Sequence, residues 1–328
     1  MPGLESAARA ILRSKKIIVA CHINPDGDCI GSMLSLGLGL KKLGKQVYLI
    51  SADGVPKRYR QLPGADLIKR GVNKDADLVV AVDCNDKEML GKSHDSFRRA
   101  KDILEIDHHL FRKPFGSITY VDTKAAAVGE QIYLLLKKMN VGIGVDIAQN
   151  ILTSIIVETN AFRLPDTRPF TFRVCADLLE GGLDFYKLTD MIYWSRPKES
   201  VILSGICLSR CKFIKNGEIV WSVVRKKDFK TTKGQDEDVD SVAEQMRAIG
   251  SVKIAVFFRE KNNGRLRVSI RSKGGINAAA LARHYGGGGH FDIAGCFIRN
   301  SHGSMRDFLR LAETLLKTEA KAKSKQVL

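Results

Sequence analysis

The sequence predicts an α/β fold: a parallel sheet with helices on both faces, followed by a smaller α/β domain. Three observations carry this. Through the first half, apolar runs of four to six residues alternate with helical segments. From about residue 205 the pattern changes to hairpins with Asn-Gly at their turns. The 328 residues also exceed one ordinary domain of about 100–200 residues.

The elements follow in order. "KIIVA" (16–20) is a strand, "GSMLSLGLGLKKLG" (31–44) a helix and "KQVYLIS" (45–51) the next strand. "ADLVVAVD" (76–83), "KDILEID" (101–107) and "GSITYVD" (116–122) are further strands, with a short helical "KEMLGK" between the first two. Strands this apolar are buried on both faces, as in a parallel sheet joined by right-handed crossovers. "AAAVGEQIYLLLKKM" and "VDIAQNILTSIIVET" carry apolar residues at helical spacing. "PFTFRVCADLLEGG" is a helix ending at paired glycines. "DFYKLTDMIYWSRPKES" (184–200) is a helical connector. "CKFIKNGEIVWSVV" and "SVKIAVFFREKNNGRLRVSIRS" are hairpins, "GCFIR" is a strand, and a last helix ends in a Lys-rich tail. The expected division is a first domain over 1–185, a connector over 186–205 and a second domain over 206–328.

Composition narrows the function. No apolar run approaches the roughly 20 residues of a membrane helix. The start lacks the pattern of a signal peptide. A soluble cytoplasmic protein with no membrane partner is expected. Seven scattered Cys without CxxC argue for reduced thiols, with Cys207 and Cys211 as small core residues. The net charge of +17 favours polyanionic partners such as nucleic acid or phosphorylated small molecules.

The chemistry gathers where strands end. His22, Asp26 and Asp28 follow the first strand; Asp83 closes the third; Asp107, His108 and His109 close the fourth. Glu158 closes the apolar run "ILTSIIVE", read here as another such end. Ligand sites of open α/β sheets lie beyond the carboxyl ends of their strands. Carboxylates gathered there repel one another unless a cation intervenes. Mixed imidazole and carboxylate donors suit Mn²⁺, Fe²⁺, Co²⁺ or Zn²⁺, and the number of donors suffices for two ions.

In the second domain, "HYGGGGHFDIAG" (284–295) holds four consecutive glycines. Such a loop lets backbone N–H groups approach an anion or a base. "SIRSKGGIN" (269–277) supplies Arg271, Ser272 and Lys273, and an Arg can grip phosphate with paired hydrogen bonds. "GQDEDVDS" (234–241) reads as an exposed loop leading to a helix.

"HINPDGDCIGS", "VAVDCND" and "EIDHH" together resemble the DHH phosphoesterases, and "RLRVSIRSKGGINAAALARHYGGGGHFDIAGC" resembles their DHHA1 domain. The overall layout is similar to the bacterial oligoribonuclease and phosphoadenosine-phosphate phosphatase group. The resemblance implies two divalent cations, typically Mn²⁺. His22, Asp26 and Asp83 would hold the first; Asp28, Asp83, His108 and Glu158 the second, with Asp83 bridging. His109 would face the scissile phosphate and Asp107 would orient a neighbouring imidazole. Arg271, Ser272, Gly287, Gly288, Gly289 and His290 would bind the part of the substrate away from the cut. The implied substrates are short RNA or DNA oligonucleotides and dinucleotides, cut to mononucleotides, together with 3′,5′-bisphosphorylated adenosine. A phosphodiesterase of cyclic or linear dinucleotide messengers (c-di-AMP, pApA) could use the same site. A pyrophosphatase would not need the glycine loop. A non-catalytic RNA-binding protein is the alternative from another class. The resemblance also makes a homodimer reasonable. One departure stands out: the family usually has Asp where this chain has Glu158, in "ETNAF".

Overall fold

The computed structural model describes residues 3–71, 74–289 and 291–326. The chain divides into two compact units, Met1–Ser195 and Arg196–Leu328. Among the described residues no helix is long and apolar enough to cross a membrane.

The first unit begins with α1 (Leu4–Arg13) and β1 (Lys16–Ala20). Next come α2 (Gly27–Lys42), β2 (Gln46–Ile50), β3 (Ile68–Lys69) and β4 (Ala76–Val82). A 3₁₀ run over Lys87–Arg99, broken at Gly91, leads to β5 (Ala100–Asp107) and β6 (Ile118–Val121). Four helices close the unit: α3 (Val128–Lys138), α4 (Val145–Glu158), α5 (Pro169–Glu180) and α6 (Phe185–Tyr193).

All six strands pair in parallel, in the order β3-β2-β1-β4-β5-β6. The order runs one way from β1 to β3 and the other way from β4 to β6. The carboxyl ends of β1 and β4 therefore flank a topological switch point, the usual ligand crevice of such sheets. Alternation along β1 divides the core. Ile17 and Val19 face the layer of α-helices, while Ile18 and Ala20 face the layer holding Leu90 and Phe97 of the 3₁₀ run. Helical segments thus cover both faces, with all the α-helices on one.

Two local expectations shift. The second element starts at Gly27 rather than Gly31, because Asp26 caps it by accepting from the N–H groups of Asp28 and Cys29. Asp28 thus belongs to a helical first turn. The connector resolves into α6 and a separate α7 (Lys198–Ser209), parted at Arg196 and Pro197.

The second unit continues with β7 (Lys212–Ile214), β8 (Ile219–Val224), α8 (Lys226–Thr232), α9 (Val242–Arg247), β9 (Ile254–Glu260) and β10 (Arg265–Ser272). It ends with α10 (Ala278–Arg283), β11 (Gly288–Gly289), β12 (Ile293–Arg299) and α11 (His302–Gln326). The sheet order is β11-β12-β10-β9-β8-β7. Both expected hairpins form, β7–β8 and β9–β10, and β8–β9 is the parallel pair. Asn216 and Gly217 take positive φ at the first turn, which the Asn-Gly signal requires. Apolar side chains of α10 and α11 cover one face, and those of α7 and α9 the other.

The acidic run 234–241 is not a free loop. Asp236 and Asp240 accept from the guanidinium of Arg259, the largest fully buried side chain, at 2.9 and 2.8 Å. A buried cation needs such partners.

Candidate metal centre

The ends of β1, β4 and β5 and the starts of α2 and α3 assemble one cluster in the first unit. His22 follows β1. Its Nδ1 lies 2.8 Å from the Ile23 carbonyl, so that nitrogen carries the proton and Nε2 is presented as a ligand. His108 repeats the device, with Nδ1 at 3.0 Å from Ala125 O. A ring fixed through its other nitrogen is how metal-ligating imidazoles are usually oriented.

Asp83 stands between them. Its Oδ2 is 3.6 Å from His22 Nε2, and its Oδ1 is 3.8 Å from His108 Nε2 and 3.6 Å from His109 Nδ1. Oδ1 is buried with no hydrogen-bond partner among the described residues. The residue also takes φ of 58°, the left-handed region that non-glycine residues seldom occupy. Strain of this kind gathers at functional sites.

Asp28 is fully buried. Ser154 Oγ donates to its Oδ1 at 2.6 Å, Ser32 Oγ at 3.1 Å, and Val128 N–H donates to its Oδ2 at 3.0 Å. Oδ2 also lies 3.7 Å from His108 Nε2. Glu158 Oε1 lies 3.7 Å from the same nitrogen. Glu158 is the last residue of α4, not the end of a strand: the apolar run before it is a helix buried nearly all round. It enters the site from a helix C-terminus.

Among the described residues, three groups bring ligand atoms within 4.8 Å of one another: His22, Asp26 and Cys29; Asp83, His108 and His109; and Asp28, His108 and Glu158. The first includes Cys29, which nothing in the sequence singled out.

The electrostatics show a carboxylate-rich site. Burial, helped by Asp83 and Asp26, pushes Asp28 up to about 7 against the opposing pull of His108. Burial also drives Glu158 well above its usual range. For His108, burial acts downward, yet Asp28, Glu158 and Asp83 outweigh it and raise the ring to about 10. His22 and His109 are raised in the same contest between burial and carboxylates. Asp83 is held low despite burial, because His22, His109 and His108 surround it. These groups contend for positive charge, which divalent cations supply. The donor set and the orphaned Asp83 oxygen fit such ions.

Asp107, expected to orient a neighbouring imidazole, lies beneath His109; sequence reasoning missed Arg112 and Glu105 behind it. Asp107 is fully buried; its Oδ1 accepts from His109 Nδ1 at 2.7 Å and from the backbone N–H of His108 at 2.9 Å. Its Oδ2 accepts from Arg112 Nε at 2.6 Å, and Arg112 also donates to the buried Glu105. The available signal was Glu105 alternating with Asp107 on a strand whose second half is otherwise apolar.

The other candidates lie in the second unit. Arg271 sits 3.4 Å from Glu244 and donates to the Ile270 carbonyl at 3.0 Å. Ser272 is buried, and its hydroxyl donates to Ile276 O at 2.6 Å, which fastens the turn after β10. Gly287 and Gly289 lie against β12: a Cβ on Gly287 would meet Gly295 O at 2.2 Å, and one on Gly289 would meet Ile293 O at 2.3 Å. Gly288 is exposed, with open space where a side chain would go. His290 lies outside the described residues.

Comparison with known proteins agrees with this architecture. The N-terminal domain of the DHH family matches residues 16–157, and the DHHA1 domain matches residues 217–318. The chain is 33% identical over 286 residues to the "Bifunctional oligoribonuclease and PAP phosphatase NrnA" of Thermus thermophilus, covering 86% of this chain and 84% of that one. An exopolyphosphatase-related protein from Bacteroides fragilis superposes with a TM-score of 0.85 at 23% identity, over 96% of each chain. RecJ of Thermus thermophilus in complex with Mn²⁺ superposes at 0.60 with 14% identity, over 97% of this chain and 55% of RecJ. These two structural likenesses concern the fold.

Proposed function

Since this chain belongs to the DHH family and carries a C-terminal DHHA1 domain, we propose that it is a metal-dependent phosphodiesterase hydrolysing short oligonucleotides to mononucleotides. Its small substrates would include dinucleotides and 3′,5′-bisphosphorylated adenosine, in keeping with the oligoribonuclease and PAP phosphatase activities for which the Thermus relative is named. The observation that carries the reading is Asp83: one carboxylate turns an oxygen toward His22 at 3.6 Å and the other toward His108 at 3.8 Å. That is the placement a bridging ligand needs.

In this reading His22, Asp26 and Asp83 hold one divalent cation, and Asp28, Asp83, His108 and Glu158 hold the other. Mn²⁺ suits the mixed donors. Such ions supply Lewis-acid activation of water and neutralise phosphoryl charge. The protein's own groups do the positioning. His109, fixed through Nδ1 by Asp107 and, against burial, favoured as the protonated ring by Asp107 and Asp83, offers Nε2–H to a phosphoryl oxygen, where charge develops in the transition state. Arg271, the glycine loop at 287–289 and His290 serve the substrate away from the cut, with Ser272 shaping the turn beside Arg271. The net charge of +17 favours capture of polyanions. A cytoplasmic location and a homodimer, as expected from the sequence, complete the proposal.

The test is product formation from labelled RNA of graded length, with Mn²⁺ and with chelator, beside cyclic dinucleotide and bisphosphorylated adenosine. Mn²⁺-dependent release of mononucleotides, fastest for the shortest RNA, is the expected result. RNA binding without hydrolysis of any of these would overturn it.

A further inference from the structure

The mechanism above uses none of the buried cysteines, and one of them stands at the metal centre. Cys29 lies in the first turn of α2, fully buried. Its N–H donates to Asp26 Oδ1 at 3.1 Å, which ties it to that carboxylate. Its Sγ lies within 4.8 Å of ligand atoms of both His22 and Asp26. Its thiol donates to the Asp26 carbonyl at 3.8 Å. Asp83, 3% exposed, faces His22 through Oδ2 at 3.6 Å, while its unpartnered Oδ1 faces His108 and His109.

We infer that Cys29 Sγ is a ligand of the cation held by His22, Asp26 and Asp83, and that it tunes this position toward thiophilic ions such as Co²⁺, Zn²⁺ or Cd²⁺. The inference rests on the metal-centre reading given above. The chemistry is that of ligand softness. Carboxylate is hard, imidazole intermediate and thiolate soft, so one sulfur moves a site away from Mn²⁺ and Mg²⁺. On binding, the Cys29 thiol gives its proton to solvent and the resulting thiolate donates to the ion. The group formed by Asp28, His108 and Glu158 offers only nitrogen and oxygen. The two positions therefore differ in softness, and a mixed pair of ions is the natural loading.

The experiment is optical titration of the metal-free full-length protein with Co²⁺. The wild type should show a sulfur-to-cobalt charge-transfer band in the near ultraviolet besides the weaker visible bands. Cys29→Ser should lose the first and keep the second; Cys21→Ser should keep both. Cd²⁺ affinity should fall at least about tenfold in Cys29→Ser, and Mn²⁺ affinity should fall less. Visible bands without charge transfer in the wild type would overturn the inference. So would a band that vanishes with Cys21→Ser but survives Cys29→Ser. Absence of any Co²⁺ binding would instead overturn the metal-centre reading and this inference with it. Should Cys29→Ser fail to fold, ¹¹³Cd NMR of the wild type decides: a resonance shifted downfield by one sulfur supports the ligand, and a position typical of nitrogen and oxygen donors alone refutes it.

Discussion

His109 gives its ring Nδ1–H to Asp107 at 2.7 Å, and the carboxylate has no freedom to turn away, because Arg112 grips its other oxygen at 2.6 Å. Both carboxylate oxygens are occupied as acceptors, so His109 keeps a proton on Nδ1. Asp107→Asn would place an amide where only acceptors fit. We expect kcat on a dinucleotide to drop by about 10–100-fold with a smaller change in KM and an unaltered circular dichroism spectrum. Arg112→Lys, which lacks the planar fork, should give a milder loss in the same direction.

Asp83 allows its two burdens to be separated. As a bridging ligand its loss should cost at least about 3 kcal/mol of transition-state stabilisation, roughly 100-fold in rate, whatever replaces it. As a residue at φ of 58° it also carries a backbone demand. Asp83→Ala and Asp83→Gly should therefore be equally inactive, while the glycine variant unfolds later, by about 1 kcal/mol in chemical denaturation. Equal stabilities would remove strain from the account, and residual activity above about one per cent would remove the bridge.

The glycine loop can be dissected one position at a time. Gly287→Ala forces a methyl against Gly295 O and Cys296 and should destabilise the protein by about 1–3 kcal/mol. Gly288→Ala meets nothing and should change stability by no more than about 0.5 kcal/mol. If Gly288→Ala nonetheless raises KM for oligonucleotides, its backbone touches substrate. If KM stays put, the glycines serve only the packing of β11 on β12.

The Arg259 cluster gives a pH dependence outside the metal centre. Burial acts to raise the Asp236 carboxyl, but Arg259 and Lys261 prevail and hold it below its ordinary 3.8. A carboxyl with a lowered folded-state pKa contributes stability above its unfolded value and loses it as pH falls through the folded one. Denaturant midpoints should therefore decline more steeply in wild type than in Asp236→Asn as pH drops below about 4. Parallel curves would show that the pair contributes nothing.

The sequence revealed much of the site because parallel strands deliver their carboxyl ends to one edge. Asp83, Asp107, His108 and His109 stand within two residues of such an end, so type and position agreed. Glu158 was harder to read. The spacing over 145–159 is helical, yet Thr153 and Ser154 are as buried as Ile151 and Leu152, so the run before Glu158 also reads as a strand buried on both faces. Arg112 with Glu105, and Arg259 with the 234–241 run, depend on ion pairs. Charge on the chain gives no sign of which partner will arrive from elsewhere. The four glycines announced a close approach, but it is made at least partly to their own neighbouring strand.

The register of β1, β4 and β5 has a thermodynamic consequence. His22, Asp83 and His108 converge only when strands distant along the chain have paired, so the denatured ensemble holds nothing resembling the finished site. Ions that bind only the native state act as a counterweight to unfolding, in proportion to the logarithm of their concentration. Each tenfold rise in free Mn²⁺ above its dissociation constant should add about 1.4 kcal/mol per bound ion, read as a rising melting temperature. Asp83→Ala should melt at the same temperature with or without Mn²⁺. Metal availability in the cell would then set how long the protein survives as well as how fast it turns over.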